Sequence, residues 1–178
     1  NYHKLLQSRV LMTSAKKIIE TLNLKPHPEG GYFKENYRSK GLIKNNSLDF
    51  EADGERNYST SIYFLLNEND FSAFHKIRQD EIWHFYAGST LLLHTINPNG
   101  NYNLIRIGNN LENGDFFQFV VPAGTWFASE VENKTSYSLC GCTVSPGFDF
   151  RDFEMPSAKT LSKIFPQHQE IIKRLSNN

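Results

Sequence analysis

The sequence has few cysteines, no long apolar run and no excess of charge of either sign. Lys plus Arg and Asp plus Glu number 19 each, so the formal net charge is zero. A balanced chain lacks the positive field by which nucleic-acid-binding proteins attract phosphate, and we expect no nucleic-acid partner. The longest apolar run, residues 62–66, is too short to span a bilayer, so we expect no membrane contact.

The two cysteines, Cys140 and Cys142, are too few for a disulfide framework or a structural zinc site. The first 20 residues mix Lys, Arg and Gln with short apolar runs and contain no secretory signal. We therefore expect a cytoplasmic protein. Its 178 residues suit one domain that is large enough to bury its own core.

Aromatic residues are plentiful, with 14 Phe and 8 Tyr, as is typical of pleated strands and of aromatic-lined pockets. Short strand-like segments recur between residues 59 and 144, and turn signals such as Asn99-Gly100 and Asn113-Gly114 separate them. The predicted strands are 61–66, 72–77, 81–86, 90–96, 103–107, 116–121, 126–131 and 137–144. Many short strands at this spacing predict an all-β sandwich or barrel.

The ends of the chain are predicted to be helical. Ser14 can cap a short helix that runs to about Leu22, and Ser157 can cap another near the C-terminus. Pro166 opens a further helix. The polar residues 39–57 are predicted to form an exposed loop. The chain thus divides into an N-terminal extension with a short helix (1–23), a β-barrel (24–155) and C-terminal helices packed on the same domain (156–178).

Two short patterns resemble the motifs of the cupin superfamily. His75 and Glu81 match the first histidine and the glutamate of its first motif, and Pro122-Ala123-Gly124 matches part of the second. The resemblance implies a site in which two histidines, a glutamate and a distant histidine hold one metal ion. Here Ile77 and Phe127 occupy the positions of the other two histidines, so half of that ligand set is missing.

Longer blocks resemble one family of that superfamily, Cupin_5. They are residues 26–33, 37–39, 62–66, 80–85, 121–124, 141–144, 146–150 and 152–154. The resemblance extends from about residue 24 to 175. It implies an all-β cupin double-stranded β-helix, or jelly-roll barrel, with a pocket at its centre, and it implies a homodimer. It leaves the reaction open, because fold alone does not assign function.

Strand alternation predicts which side chains face that pocket. Glu81, Trp83 and Phe85 share one face of their strand, and His84 lies on the other. We expect His75 and Glu81 to converge as a catalytic acid–base pair, with the pKa of Glu81 raised by aromatic surroundings unless His75 pairs with it. The residues expected to bind a ligand are Tyr63, Trp83, Phe85, Gln118, Phe127 and, at the lip of the pocket, Glu29.

These residues suggest a protein that binds a small polar molecule in an aromatic-lined barrel. The first hypothesis is a non-redox epimerase or isomerase of a sugar-type molecule that uses His75 and Glu81. The alternatives are a non-catalytic binding protein and a metal-dependent cupin enzyme with the incomplete ligand pair His75 and Glu81. Two protein ligands are few for a transition metal. We expect no cofactor, with weak binding of a divalent metal left open.

Overall fold

The computed structural model describes residues 13–177. It contains twelve strands: β1 (Lys25–Pro26), β2 (Tyr32–Arg38), β3 (Leu42–Ile43), β4 (Arg56–Asn57), β5 (Thr60–Leu66), β6 (Phe71–His75), β7 (Asp80–Gly88), β8 (Leu91–Ile96), β9 (Tyr102–Ile107), β10 (Gln118–Val121), β11 (Trp126–Val131) and β12 (Ser138–Ser145). All paired strands are antiparallel. The prediction of an all-β fold is confirmed.

Most of the strands form two facing sheets. The larger sheet has the order β1-β2-β5-β12-β7-β10, and the smaller has the order β6-β11-β8-β9. Strands β3 and β4 form a separate two-stranded ribbon. Although β6 and β7 follow each other along the chain, they lie in different sheets. Inward side chains of β6 therefore face inward side chains of β7 across the interior, instead of lying beside them in one sheet.

The main core fills the space between the sheets. Phe64, Trp83, Leu91, Phe127 and Cys140 are buried there. Alternation along each strand explains the pattern, because every second side chain points inward. In β7 the buried residues Glu81 and Trp83 alternate with the half-buried Ile82 and His84, which confirms the predicted inward face of this strand.

Short helices cover the outer faces of both sheets. Helix α1 (Ala15–Leu22) begins at Ser14, whose hydroxyl accepts a hydrogen bond from the Lys17 N–H, and its Ile18 packs on the larger sheet. Helices α2 (Ala158–Ile164) and α3 (Gln169–Arg174) pack on the smaller sheet. Within residues 13–177, no helix has the length and apolar character that crossing a membrane requires.

Some local predictions differ from the structure. Residues 39–57 are not simply an exposed loop, because they contain β3, β4, a 3₁₀ turn and the buried Arg56. Strand β10 begins at Gln118, two residues later than predicted, and a 3₁₀ turn over Pro166–His168 precedes α3. Residues 1–12 of the predicted N-terminal extension (1–23) lie outside the described residues, and its predicted short helix is α1.

Candidate functional site

A cavity of about 260 Å³ opens between the sheets. Its walls come from the turn before β2, from β2, β5, β6, β7 and β12, and from the segment that follows β12. The lining residues with ionisable side chains are His27, Glu29, Glu35, Arg38, His75, Glu81, Cys142 and Asp149. The aromatic lining residues besides the histidines are Phe33, Phe64, Phe148, Phe150 and Phe153.

His75, at the end of β6, is fixed on both sides of its ring. Its Nδ1 lies 2.7 Å from the carbonyl oxygen of Ala73, so Nδ1 carries the hydrogen and donates it. Its Nε2 lies 3.1 Å from Oε2 of Glu29. In a neutral ring this Nε2 has no hydrogen, so either a protonated Glu29 donates to it or the ring is protonated. Burial lowers the pKa of His75 and raises that of Glu29, so the favoured state of the pair holds one proton between them and is neutral as a whole.

Glu29 reaches this position through a turn that only glycine permits. Gly30 and Gly31 have φ angles of 115° and 71°, in the left-handed half of the backbone map. A Cβ atom on Gly30 would lie 2.0 Å from the carbonyl oxygen of Phe71, so the turn presses directly against β6. The Glu29 carboxylate accepts a hydrogen bond of 2.9 Å from Ser72, and burial raises its pKa.

Glu81, at the start of β7, lines the cavity from the opposite sheet. Its side chain is buried, and burial raises its pKa from the ordinary value of 4.5 to about 7. His75 opposes this shift in pKa, while the charge of Glu29 adds to it. A carboxyl group that titrates near neutral pH can both accept and release a proton, which is the property that general acid–base catalysis requires.

His27 is a further polar group that is open to the cavity. Its Nδ1 accepts a hydrogen bond of 3.2 Å from the backbone N–H of Glu29, so the hydrogen of the neutral ring lies on Nε2. Burial lowers the pKa of His27, which keeps the ring neutral. Among residues 13–177 no group is hydrogen-bonded to this Nε2. The nitrogen is also not fully buried, so a ligand can reach it. It can therefore donate to a ligand.

The segment 146–153, here called the strap, closes one side of the cavity with three aromatic rings. The ring centroids of Phe148 and Phe150 are 5.0 Å apart, and those of Phe150 and Phe153 are 5.8 Å apart. The strap is anchored below by Asp152, which receives two hydrogen bonds of 2.7 and 2.8 Å from the buried Arg56. The rings are therefore held at the cavity by a buried ion pair.

The structure brings three of the predicted site residues to the cavity wall: His75, Glu81 and Glu29. His75 is hydrogen-bonded to Glu29, however, and not to Glu81 as expected. The sequence hides this pairing, because Glu29 lies 46 positions before His75 and reaches it only through the glycine turn.

The other predicted binding residues do not line the cavity. Trp83 and Phe85 do point inward, but they pack in the core beyond the cavity wall, and Phe127 lies behind His75 with ring centroids 4.1 Å apart. Tyr63 and Gln118 lie on the outer face of the larger sheet. Tyr63 contacts Tyr86, and Gln118 approaches Nδ1 of His84 at 3.3 Å. Adjacent residues of a strand point to opposite faces of the sheet, so Ile62, next to Tyr63, lines the cavity instead.

Sequence reasoning missed His27 and the strap as parts of the site. None of His27, Phe148, Phe150 and Phe153 is among the residues that the sequence predicts to bind a ligand. One signal was available, namely three phenylalanines within six positions directly after Pro146-Gly147. Such a density of aromatic residues outside the strands indicates a segment that packs against the end of the barrel.

The residues present do not fit the transition-metal site of cupin enzymes. Ile77 lines the cavity and Phe127 is fully buried, so both missing ligand positions are apolar. Both ring nitrogens of His75 already have partners. Across residues 13–177 no group of three or more His, Cys, Asp or Glu side chains is arranged to hold a metal ion. A metal-free native state stays a prediction, which elemental analysis of the purified protein would test.

The Cupin_5 family model, described as cupin superfamily (DUF985), matches residues 16–156. The chain belongs to this family. An uncharacterized protein of Saccharomyces cerevisiae is 32% identical over 149 residues, which cover 79% of this chain and 74% of the yeast protein. The predicted cupin resemblance is thus confirmed.

Solved structures agree with membership of the Cupin_5 family. A hypothetical protein from Leishmania major has a TM-score of 0.85 and 36% identity over 93% of this chain and 100% of its own. A protein from Shewanella oneidensis has a TM-score of 0.84 and 37% identity, covering 93% and 99%. Oxalate decarboxylase from Bacillus subtilis has a TM-score of 0.52 at 12% identity, covering 84% of this chain and 36% of its own. This last likeness shows the fold alone.

Proposed function

We propose that this Cupin_5 protein binds a small polar molecule in its barrel cavity and moves a proton on it without redox chemistry. Epimerisation or isomerisation is the reaction class. The observation that carries the proposal is the position of Glu81, a buried carboxyl with a pKa of about 7 that faces the cavity opposite the His75–Glu29 pair. Buried groups with such shifts in pKa occur preferentially at functional sites.

The roles of the side chains follow from their hydrogen bonds. The Glu81 carboxylate removes a proton from a carbon atom next to a carbonyl group of the ligand. The Nε2–H of His27 hydrogen-bonds the ligand oxygen on which negative charge develops. In isomerisation Glu81 then returns the proton to the neighbouring carbon from the same side, while the hydroxyl proton of that carbon passes to the former carbonyl oxygen. In epimerisation the planar intermediate turns over in the cavity before Glu81 returns the proton to the same carbon. Atoms and charge balance without a second substrate, as in epimerisation or isomerisation.

His75 and Glu29 act on this chemistry indirectly. Since both ring nitrogens of His75 have protein partners, the pair serves to hold a neutral, fixed wall opposite Glu81. Protonation of His75 with ionisation of Glu29 would leave the charge of the pair unchanged. The pair thus sets the electrostatic environment in which Glu81 titrates, and its residues are positioning residues.

A second candidate function is non-catalytic binding. It is favoured by the small number of free acid–base groups, because the His75–Glu29 pair and the Glu35–Arg38 pair are already engaged within the protein. On this view Glu81 and His27 recognise the ligand without exchanging a carbon-bound proton.

Proton exchange with solvent separates the two candidates. The protein is incubated in deuterium oxide with a panel of small carbonyl compounds, including ketoses, amino ketones and amino aldoses, and loss of carbon-bound hydrogen is followed by proton NMR. We expect exchange in at least one compound, and we expect Glu81→Gln to abolish it. Glu132→Gln is the matched control, since Glu132 pairs with Arg106 outside the cavity.

Three results are informative here. Exchange that depends on Glu81 supports the enzyme. Compounds that bind without exchange support the binding protein. Exchange that persists unchanged in Glu81→Gln contradicts the role given to this carboxylate.

A further inference from the structure

We propose that the cavity selects a small organic cation, of the ammonium class, over neutral and anionic molecules of the same shape. This inference rests on the proposed function only in assuming that the cavity is the ligand site. It goes further by naming the charge of the ligand. It depends on which charges around the cavity are cancelled within the protein and which are not.

The guanidinium group of Arg38 is not available to an anion. Its Nε and Nη2 donate to the two carboxylate oxygens of Glu35 at 2.8 and 2.7 Å, which is a bidentate pair. Nη2 also donates to the carbonyl oxygen of Phe148 and Nη1 to Asn57. Arg38 is the sole Lys or Arg residue among the lining residues that the structure describes. An anionic ligand would therefore meet no uncancelled positive charge.

The remaining charges of the wall cancel in pairs, with one exception. Asp149 is paired with Arg151 at 2.8 Å, and the His75–Glu29 pair is neutral as a whole. His27 is held neutral by burial. Within the described part of the chain Glu81 forms no salt bridge, and His75, whose positive charge would favour its ionised form, is engaged with Glu29 in the neutral pair. When Glu81 is ionised, the cavity thus contains one uncompensated negative charge, which a cationic ligand would neutralise.

The polar groups of the wall are too few for a neutral polyhydroxyl ligand. The uncharged hydrogen-bonding side chains of the lining, apart from the imidazoles, are Thr60 and the thiol of Cys142. The Thr60 hydroxyl accepts a hydrogen bond of 2.9 Å from the backbone N–H of Phe148, so Thr60 keeps one O–H to donate to a ligand. Most hydroxyl groups of a sugar would lose their water partners without replacement, and that loss disfavours binding.

The aromatic side of the cavity suits an alkylated cation. Phe33 lies 4.5 Å from the His27 ring, and the strap adds Phe148, Phe150 and Phe153. The faces of aromatic rings carry partial negative charge and attract cations, above all ammonium groups with apolar substituents. Aromatic rings beside one unpaired carboxylate therefore match both parts of such a ligand.

Three probes of one shape test the inference. Choline is compared with the alcohol in which a carbon atom replaces its nitrogen, and with the anion tert-butylacetate, by isothermal titration calorimetry at about pH 8, where Glu81 is ionised. We expect choline to bind at least about tenfold more tightly than the alcohol. A tenfold preference corresponds to a decrease of about one unit in the pKa of Glu81 when choline is bound. We expect tert-butylacetate to bind most weakly.

Variants and proton release sharpen the test. Glu81→Gln should abolish the preference for choline over the alcohol, while the control Glu132→Gln should keep it. Near neutral pH, choline binding should release protons from Glu81, as seen in titrations in buffers with different heats of ionisation. The other groups that can titrate around this carboxyl are His75, Glu29 and Cys142, with His27 and Asp149 in the same wall.

Equal affinities for choline and the alcohol, tighter binding of the anion, or no choline binding would each overturn the inference. None of these results decides the proposed proton transfer, which is measured separately by hydrogen exchange in deuterium oxide. Conversely, a charge preference lost in Glu81→Gln stands even if no exchange is seen.

Discussion

The most informative residue of this protein is Glu81, because its environment lets one carboxyl group change charge near neutral pH. Burial between two sheets favours the uncharged form. The unfolded chain gives no such protection, so its glutamate ionises near 4.5. Between about pH 4.5 and about pH 7, Glu81 is protonated in the native state and ionised in the unfolded state. Stability should therefore fall as pH rises through this window and level off above it.

Removing this carboxyl should stabilise the protein at alkaline pH. The free energy of unfolding of Glu81→Gln minus that of the native sequence should increase by about 2–3 kcal/mol from about pH 5 to about pH 8. This follows because each unit of pKa shift corresponds to about 1.4 kcal/mol. Urea unfolding of both proteins at the two pH values measures this difference. Glu132→Gln should show no such dependence. An equal difference at both pH values would argue against a raised pKa at Glu81.

The His75–Glu29 pair allows a second prediction at single residues. Glu29→Ala leaves Ser72 and Nε2 of His75 buried without partners and should cost about 2–5 kcal/mol. Glu29→Gln should cost less than about half of that, because its amide can donate to His75 and accept from Ser72. Unfolding free energies at about pH 7 test this order. Equal losses in the two variants would show that the pair depends on charge instead of hydrogen bonding.

At the scale of elements, the strap shows how a segment without regular strands can be held at a site. Two aspartates of the strap are paired with arginines, Asp152 with Arg56 of β4 and Asp149 with Arg151 of the strap itself, and the two pairs differ in exposure. Asp152 and Arg56 are both buried, whereas Asp149 and Arg151 are partly open to solvent. Removing one member of a buried pair leaves the other charge buried and alone, while exposed pairs contribute little.

We expect Asp152→Asn to destabilise the protein by about 3–5 kcal/mol and to loosen the strap. Asp149→Asn, a matched change three residues earlier, should leave stability nearly unchanged. Unfolding measurements on both variants give the change in stability, and limited proteolysis within residues 146–153 shows whether the strap is loosened. If both variants unfold alike, the strap is held by its aromatic contacts and not by the buried ion pair.

The elements also differ in how well the sequence predicted them. Strand β11 was predicted at its observed bounds, Trp126–Val131, and β7 was predicted with its correct inward face, because alternation and flanking turns specify both. Arg56 was not expected to be buried, since a polar loop gives no sign of a distant carboxylate. The partner, Asp152, lies 96 positions away. Local pattern thus predicts strands well and long-range polar pairs poorly.

For the whole molecule, the larger sheet ends in an exposed edge strand. Strand β10 is the last strand of this sheet and pairs there with β7 alone. Val120 in β10 and Phe117 just before it are exposed. Uncovered edges promote association with another chain. Together with the family resemblance, this favours the predicted homodimer, with a second copy of this chain as the partner.

Light scattering should give the mass of a dimer at micromolar concentration. The double variant Phe117→Lys with Val120→Lys should shift the protein to monomer, because charge on an edge strand opposes pairing. Ile164→Lys, at an equally exposed apolar position of α2, should leave the dimer intact. A monomeric native protein would contradict the prediction. A cytoplasmic location also stays a prediction.

The sequence by itself determined the all-β fold, the cupin family, most strand positions and the inward face of Glu81. These properties depend on local periodicity, on turn residues and on motifs, which are all written along the chain. Only the tertiary structure decided that His75 pairs with Glu29, that the buried Arg56 pairs with Asp152, and that the strap completes the aromatic side. These contacts depend on how two sheets close over one another, which brings distant residues within hydrogen-bond distance.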